Sequence, residues 1–315
     1  MIDLEMIEAA RGRIAGAAIR TPLIRLPADD GPAEIYLKLE NLQPINSFKI
    51  RGAMNAVRLA APEQLAGGLV TASAGNMAQG VAWAARSLGV PATIVVPDSA
   101  PQAKLDAIAR LGGQVRKLPY DQWWNVIVTG QAEGIDGLFV HPVQDPAVMA
   151  GNGTIGLEIL EDLPDPDAIV IPYGGGGLTA GIASAVKQLR PATAIITAEP
   201  ATGGALVAAM AAGGPADASY SPSVVDGAGS RRVLDQMWPL VASLVDAAVA
   251  VPIADVAAAI RVLAERARVI AEGAGALAPA AALSGLAGRG KVVCVVSGGN
   301  INLSTLASIL AGSDG

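Results

Sequence analysis

The chain has 315 residues, of which 52% are hydrophobic and 16% charged, with a formal net charge of −6. This length predicts two lobes, and an acidic balance without a basic cluster argues against nucleic acid as a partner. The residues from Met1 to Met6 lack the features of a signal peptide, and the chain has no uninterrupted apolar run long enough for a membrane span. A single cysteine excludes an intrachain disulfide, so we expect a cytoplasmic protein that makes no membrane contact.

Short apolar runs alternate with longer, alanine-rich segments of helical spacing. Strands are predicted at 35–38, 67–72 (with its preceding loop), 92–97, 114–118, 168–172, 194–198 and 292–296, and helices at 53–59, 77–88, 104–111 and from Leu178 onward. This alternation predicts an α/β fold of mostly parallel sheets flanked by helices. The strand–helix block at 59–142 is expected to form a small domain, inserted into a large domain made of residues 1–58 and 143–315.

Lys49 lies in the run Asn-Ser-Phe-Lys-Ile-Arg-Gly that covers residues 46–52. Burial beside apolar neighbours and the guanidinium of Arg51 are both expected to lower the pKa of its amine. A neutral amine can attack a carbonyl and form an imine. Taken alone, however, such a lysine is more often a surface residue that buries only its stem.

The glycines at 174–177 follow a predicted strand and precede a predicted helix. Their backbone N–H groups are free to face an anion, and the helix N-terminus adds its positive dipole end. A plain turn between a strand and a helix would need only one or two glycines. The run therefore predicts a phosphate site.

A dinucleotide site is the strongest alternative for this loop. Gly175-x-Gly177-x-x-Ala180 satisfies the dinucleotide fingerprint, and Glu199 closes the next predicted strand. An NAD-dependent oxidoreductase is therefore an alternative function. It would leave Lys49 and two further polar loops without a role.

Those two loops each follow a predicted strand. Ser73 lies in the first, Thr-Ala-Ser-Ala-Gly-Asn at 71–76, and Ser297 in the second, Ser-Gly-Gly-Asn at 297–300. The first loop opens a helix and is suited to a substrate carboxylate, and the second lies at the carboxyl edge of the last strand. Either serine alone could equally be a helix N-cap.

The chain resembles the serine/threonine dehydratase and serine racemase family of fold-type II pyridoxal-phosphate enzymes, and within it a phenylserine dehydratase. The resemblance covers nearly the whole length and is carried by ordered motifs. These are 47–53 around Lys49, 73–76, His141-Pro142, 150–154, Gly174 to Leu178, Asp226-Gly227, 272–275 and 297–300.

The resemblance implies roles for individual residues. Lys49 would form the internal aldimine with pyridoxal phosphate, while Phe48 and Asn76 would contact the ring and its 3-hydroxyl. Ser297 would hydrogen-bond the pyridine nitrogen, which favours elimination of a β-leaving group. The phosphate would be held by Gly174, Gly175, Gly176, Gly177 and Leu178. The family also implies a homodimer.

Four positions in the implied substrate pocket are apolar where relatives are polar. Ala74 replaces the acid/base serine of racemases, so we expect elimination to exceed racemisation. Met77 replaces a histidine, Trp124 an arginine and Val143 an asparagine. The residues expected to bind the substrate are these four together with Ser73, Gly75 and Asn76.

These replacements predict an L-threo-β-hydroxy amino acid with a hydrophobic substituent, such as phenylserine, as the substrate. The product would be a 2-keto acid, with release of ammonia. The alternative substrates are L-threonine and L-serine, which the enzyme would dehydrate with ordinary specificity. The alternative role for the pair Trp123-Trp124 is structural, as an anchor for a helix. A β-replacement enzyme and a non-catalytic cofactor-binding protein are weaker alternatives.

A metal site is not expected from the sequence. One histidine and one cysteine make zinc improbable. The family's divalent-cation site uses two carboxylates, of which Glu199 is present, while the second position is Ala205. We therefore expect no dependence on Mg²⁺. A monovalent cation held by carbonyl groups is compatible with the sequence.

Overall fold

The computed structural model describes residues 1–28 and 31–312. The strands are β1 (Leu23–Arg25), β2 (Glu34–Leu39), β3 (Leu69–Ala72), β4 (Ala92–Pro97), β5 (Gln114–Leu118), β6 (Leu138–Phe139), β7 (Ala168–Pro172), β8 (Ala194–Pro200), β9 (Ala247–Val251) and β10 (Lys291–Val296). The helices are α1 (Leu4–Ile14), α2 (Lys49–Leu59), α3 (Pro62–Leu65), α4 (Asn76–Leu88), α5 (Gln102–Arg110), α6 (Tyr120–Thr129), α7 (Pro146–Asp162), α8 (Gly177–Leu189), α9 (Ala205–Ala212), α10 (Trp238–Leu244), α11 (Ile253–Val262), α12 (Gly273–Leu283) and α13 (Leu303–Leu310).

The strands form two sheets. The larger has the order β1-β2-β10-β7-β8-β9 and is parallel except for β1. The smaller, β5-β4-β3-β6, is parallel throughout. The predicted α/β class is therefore confirmed. The strands of the smaller sheet all fall within 59–142, but the exact domain bounds stay a prediction.

Burial on both faces explains why the central strands of the larger sheet read as continuous apolar runs. Alternate residues of β7 enter different cores. Val170 packs with α11 and α12, whereas Ile169 packs with α7 and α8. The carboxyl ends of β7 and β10 consequently emerge between two helical layers.

Helix α2 begins at Lys49, although the sequence predicted its start at Ala53. Arg51, in its first turn, is buried between two carboxylates. Its Nε and Nη2 each lie 2.8 Å from an oxygen of Glu40, and Nη1 lies 2.7 Å from Oε1 of Glu158. Buried charges of this kind are stable only when paired, so this contact anchors the helix that begins with Lys49.

Within the described residues, no helix is both long enough and apolar enough to cross a membrane.

Candidate active site

A small cavity lies at the carboxyl edge of the larger sheet. It brings together residues that are far apart in the chain, because β2, β7 and β10 are neighbours in the sheet. Its lining consists of Phe48, Lys49, Pro142, Val143, Pro172, Gly174, Gly175, Gly176, Gly177, Leu178, Gly227, Ala228, Ala274 and Ser297.

Lys49 presents its amine to this cavity. Nζ donates a hydrogen bond to the carbonyl oxygen of Pro142 at 3.2 Å and lies 5.0 Å from the centre of the Phe48 ring. Burial of the amine lowers the pKa of Lys49 to about 8. The expected contribution of Arg51 to this shift is wrong, because Glu40 and Glu158 compensate the guanidinium charge.

The glycine loop forms the opposite wall. Gly176 has φ +95° and caps helix α8, a conformation that a residue with a Cβ rarely adopts. A Cβ on Gly175 would lie 2.4 Å from Cγ2 of Val143, and one on Gly177 would lie 2.8 Å from the Val143 carbonyl oxygen. The first N–H groups of α8 have no acceptor within the helix, so the loop is suited to an anion.

The loop after β3 meets the larger lobe through Asn76. Its Nδ2 donates to Oε1 of Glu272 at 2.6 Å, and its Oδ1 accepts from Nδ2 of Asn300 at 2.7 Å. Burial raises the pKa of Glu272 to about 7, with the negative charge of Asp226 as a second cause. The orientation of the Asn76 amide is therefore set by residues of the other lobe.

Gly75 and Asn76 also line a cleft of about 390 Å³ between the lobes. Its walls are predominantly polar and include Gln79, Ser223, Asp226, Glu272, Asn300, Asn302 and Thr305. Lys104 Nζ on α5 lies 2.7 Å from Oδ2 of Asp226, so an ion pair joins the two lobes at this cleft.

The remaining predicted substrate residues lie away from the cleft lining. Ser73 Oγ accepts the N–H of Gly75 at 3.1 Å, within the loop that also carries Ala74. Met77 is buried in the core of the small lobe, and Trp124 on α6 is 44% exposed. The roles assigned to these residues stay predictions.

Glu199 has a structural role in the described chain. Its carboxylate oxygens accept the backbone N–H groups of Leu206 at 3.0 Å and Val207 at 2.9 Å, at the start of α9. Burial raises the pKa of Glu199 to about 7. The carboxylate is thus occupied by backbone donors, and Ala205 beside it has no ligand atom in its side chain.

The sequence pattern of the family described as "Pyridoxal-phosphate dependent enzyme" matches residues 14–298. The chain belongs to this family. It is 42% identical over 315 residues to the L-threonine ammonia-lyase of Thermotoga maritima, a match that covers 98% of this chain and 78% of that protein.

Solved structures of enzymes from two plants have the same fold as this chain. Maize serine racemase superimposes with a TM-score of 0.88 at 32% identity, with 98% of each chain covered. The processed form of threonine deaminase isoform 2 from Solanum lycopersicum gives a TM-score of 0.85 at 33% identity, with 99% of this chain and 95% of that chain covered. The prediction of a pyridoxal-phosphate dependent lyase is confirmed by these relatives.

The cavity fits pyridoxal phosphate. An amine of lowered pKa, an anion-binding glycine loop and the Ser297 hydroxyl at the end of β10 face one space. Phe48 supplies an aromatic wall next to the amine. These are the groups needed for an aldehyde, a phosphate and a ring nitrogen, respectively.

Two site residues had no assigned role at the level of sequence. Glu272 contacts Asn76 across 196 positions, and its only signal is an acidic residue that precedes Gly-Ala-Gly. Pro142 acts through its carbonyl oxygen, which any residue type could supply. Only the fold reveals that contact.

Proposed function

We propose that this enzyme dehydrates an L-β-hydroxy-α-amino acid to a 2-keto acid and ammonia, with Lys49 as the catalytic residue. The observation that carries this proposal is that the Lys49 amine and the glycine loop line the same small cavity. The family's cofactor would be attached at Lys49 and held through its phosphate by the loop. The bound cofactor supplies an electron sink for the electrons left on Cα when its proton is removed.

The chain's own groups account for the remaining chemistry. With substrate bound at the cofactor, the amine of Lys49 would be free, and its Nζ would accept the proton from Cα. A pKa of about 8 keeps a substantial fraction of this amine neutral near physiological pH. The β-hydroxyl would leave as water, with a proton that balances the one taken from Cα. Lys49 Nζ would then displace the product as an enamine. The free enamine tautomerises to an imine, and hydrolysis of that imine gives the 2-keto acid and ammonia.

The substrate carboxylate is assigned to the start of helix α4. Gly75 caps this helix without a side-chain hydrogen bond, so the N–H groups of its first turn are available to an anion. The loop from Ser73 to Met77 would bind the carboxylate, and Asn76 would face the cofactor ring. Trp124 on α6 is not part of the cleft lining, so its contact with the substrate stays a prediction.

Two observations bear on the substrate side chain, and they support different substrates. Val143 gives the cavity an apolar wall, which supports a hydrophobic β-substituent such as that of phenylserine. The cleft beside it is polar, and two of the relatives described above are named for threonine, which supports L-threonine or L-serine. Burial of a phenyl group contributes only about 2–3 kcal/mol, so these substrates would differ by roughly two orders of magnitude in kcat/KM at most.

A keto-acid assay with L-serine, L-threonine and both phenylserine diastereomers decides between these substrates. A kcat/KM for L-threo-phenylserine above that for threonine would support the hydrophobic assignment. A larger value for threonine would contradict it and leave the dehydratase proposal intact. Turnover of none of the four would contradict the dehydratase proposal itself.

The Lys49→Ala variant tests the catalytic assignment. We expect turnover to fall by at least about three orders of magnitude, because both the attachment point and the base are removed. Borohydride should fix the cofactor covalently in the unmodified enzyme but not in the variant. Lys117→Ala is the matched control, since Lys117 is exposed on β5 and lines neither the cleft nor the cavity. An active Lys49→Ala enzyme would exclude this mechanism.

We also propose that the enzyme is a homodimer, as the family resemblance implies. The chain has a mass of 31.6 kDa, so light scattering should give about twice that value at working concentration. A monomeric mass for the active enzyme would contradict this assignment.

A further inference from the structure

The segment 140–145, in which the chain returns from the small lobe to the large one, contacts both halves of the cofactor cavity. The Pro142 carbonyl oxygen accepts the Lys49 amine at 3.2 Å. Val143 packs so closely on the glycine loop that a Cβ on Gly175 would lie 2.4 Å from its Cγ2. The conformation of this segment therefore affects the amine and the phosphate cradle together.

His141 holds this segment in place. Its Nδ1 accepts the backbone N–H groups of Val143 at 3.0 Å and Gln144 at 2.9 Å. Its Nε2 lies 3.0 Å from the carbonyl oxygen of Ile127 on α6. One tautomer satisfies all three contacts, the neutral ring with its proton on Nε2.

The surroundings of the ring favour this neutral form. Burial is the largest cause that lowers the pKa of His141, and the positive charge of Lys49 acts in the same direction. The carboxylate of Asp145 and the hydrogen bond to Ile127 oppose that shift. Asp145 itself accepts the N–H of Ala147 at 2.8 Å at the start of α7, and the uncharged Phe139 ring packs edge-on, 6.0 Å from the imidazole centre.

We propose that neutral His141 is a positioning residue for cofactor attachment, which it supports by holding Pro142 against Lys49 and Val143 against the glycine loop. This inference rests on the proposed role of Lys49. Protonation of the ring would place a proton on Nδ1, directly facing two N–H donors, and the turn would open. Acid would then weaken cofactor binding through the segment 140–145, before it disturbs the rest of the fold.

The tautomer is directly measurable because His141 is the only histidine in the chain. Imidazole ¹⁵N NMR of the holoenzyme and of the apoenzyme should show the proton on Nε2 in both. The titration midpoint should lie below the ordinary value of about 6.5. A proton on Nδ1, or a midpoint above that value, would overturn the proposal. This measurement needs no substrate turnover.

Two substitutions separate the hydrogen bonds from packing. Asparagine can accept the N–H two residues ahead through its side-chain oxygen, so His141→Asn retains the turn but cannot titrate. We expect His141→Asn to bind pyridoxal phosphate within roughly threefold of the unmodified protein at neutral pH. Its affinity should fall less steeply in acid than that of the unmodified protein, because only the protonation of Lys49 remains. His141→Leu should bind it at least about tenfold more weakly, because both N–H groups lose their acceptor.

Cofactor affinity is measured by visible absorbance across the pH range, and thermal midpoints of the apo forms report whether the variants fold. Equal affinities for folded His141→Asn and His141→Leu would overturn the proposal, as would an acid dependence of affinity that is identical in His141→Asn and the unmodified protein. Failure of the unmodified protein to bind the cofactor would instead contradict the proposed function.

Discussion

The two lobes differ in how deeply their sheets are buried. Every residue of β7 in the larger sheet is buried, whereas β5 in the smaller sheet is half-buried or exposed along its length. Helix α6 of the small lobe buries only Val126. The groups assigned to the cofactor come mainly from the deeply packed lobe, and the loop assigned to the substrate comes from the thin one. The cofactor site is thus supported by packing on both faces of its sheet. Residues 73–76 of the substrate loop are half-buried and open to the cleft on one side, although β3 and α4 on either side of them are buried.

Glycine substitutions in the two lobes should give the largest difference in cofactor affinity between these regions. Gly175→Ala would force its Cβ against Val143, whose branched side chain is stiff. Overpacking of this kind costs about 1–3 kcal/mol, so we expect the affinity for pyridoxal phosphate to fall roughly 10- to 100-fold. Gly75→Ala is the matched control, because nothing lies within 4 Å of its added Cβ. Its cofactor affinity should be unchanged, and equal losses in both variants would contradict the comparison.

The pH dependence of cofactor attachment tests whether the Lys49 amine is buried in the deeply packed lobe. A pKa of about 8 for Lys49 means that the neutral amine increases as pH rises toward this value and then levels off. The rate of cofactor attachment to the apoenzyme should rise about 50-fold from pH 6 to pH 8 and change little above pH 9. Stopped-flow absorbance measures this rate. A continued rise toward pH 10.5 would show that the amine is solvated like an ordinary lysine.

Ala74→Ser tests the half-buried substrate loop. The added hydroxyl would provide a proton donor and acceptor in the substrate loop. Exchange of the Cα proton with solvent and formation of the D-amino acid should therefore increase about tenfold. Chiral chromatography and deuterium incorporation measure both. Unchanged exchange, or a racemase rate in the unmodified enzyme that already matches its dehydratase rate, would contradict the role assigned to position 74.

Removal of divalent metal should have the smallest effect. Glu199 is engaged by the N–H groups of α9, and Ala205 offers no second carboxylate. Activity after EDTA treatment should stay within about twofold of the untreated value. A loss that Mg²⁺ restores would show that the assignment of these two positions is wrong. Comparison of Na⁺ with K⁺ in the same assay tests the monovalent cation separately.

The elements with strong local signals could be predicted from the sequence. The buried strands β7 and β10 are uninterrupted apolar runs, and the run of four glycines before α8 is longer than a plain turn requires. Helices α7 and α12 were not predicted because they are buried on nearly all sides, which removes the amphipathic period, and α12 contains Pro279. The local sequence pattern does not show which other elements pack around a helix.

The site was predicted unevenly for the same reason. Lys49 and the glycine loop are defined by residue type, and the structure places them around one cavity. The hydrogen bonds among Asn76, Glu272 and Asn300 join segments that only the tertiary fold brings together. The exposure of Trp124 likewise depends on how α6 packs against the small sheet. The position of Trp124 in the sequence does not determine that packing.

The place of β10 in the larger sheet has a consequence for biosynthesis. This strand lies between β2 and β7, yet among the described strands it is the last in chain order and so is synthesised after both neighbours. The small lobe, whose strands end at Phe139, can pair its sheet much earlier. Until β10 inserts, the larger sheet has two separate edges and Ser297 is not in place. Cofactor capture is therefore postponed until the chain through Ser297 has been synthesised, and until then those two edges are open to pairing with other chains.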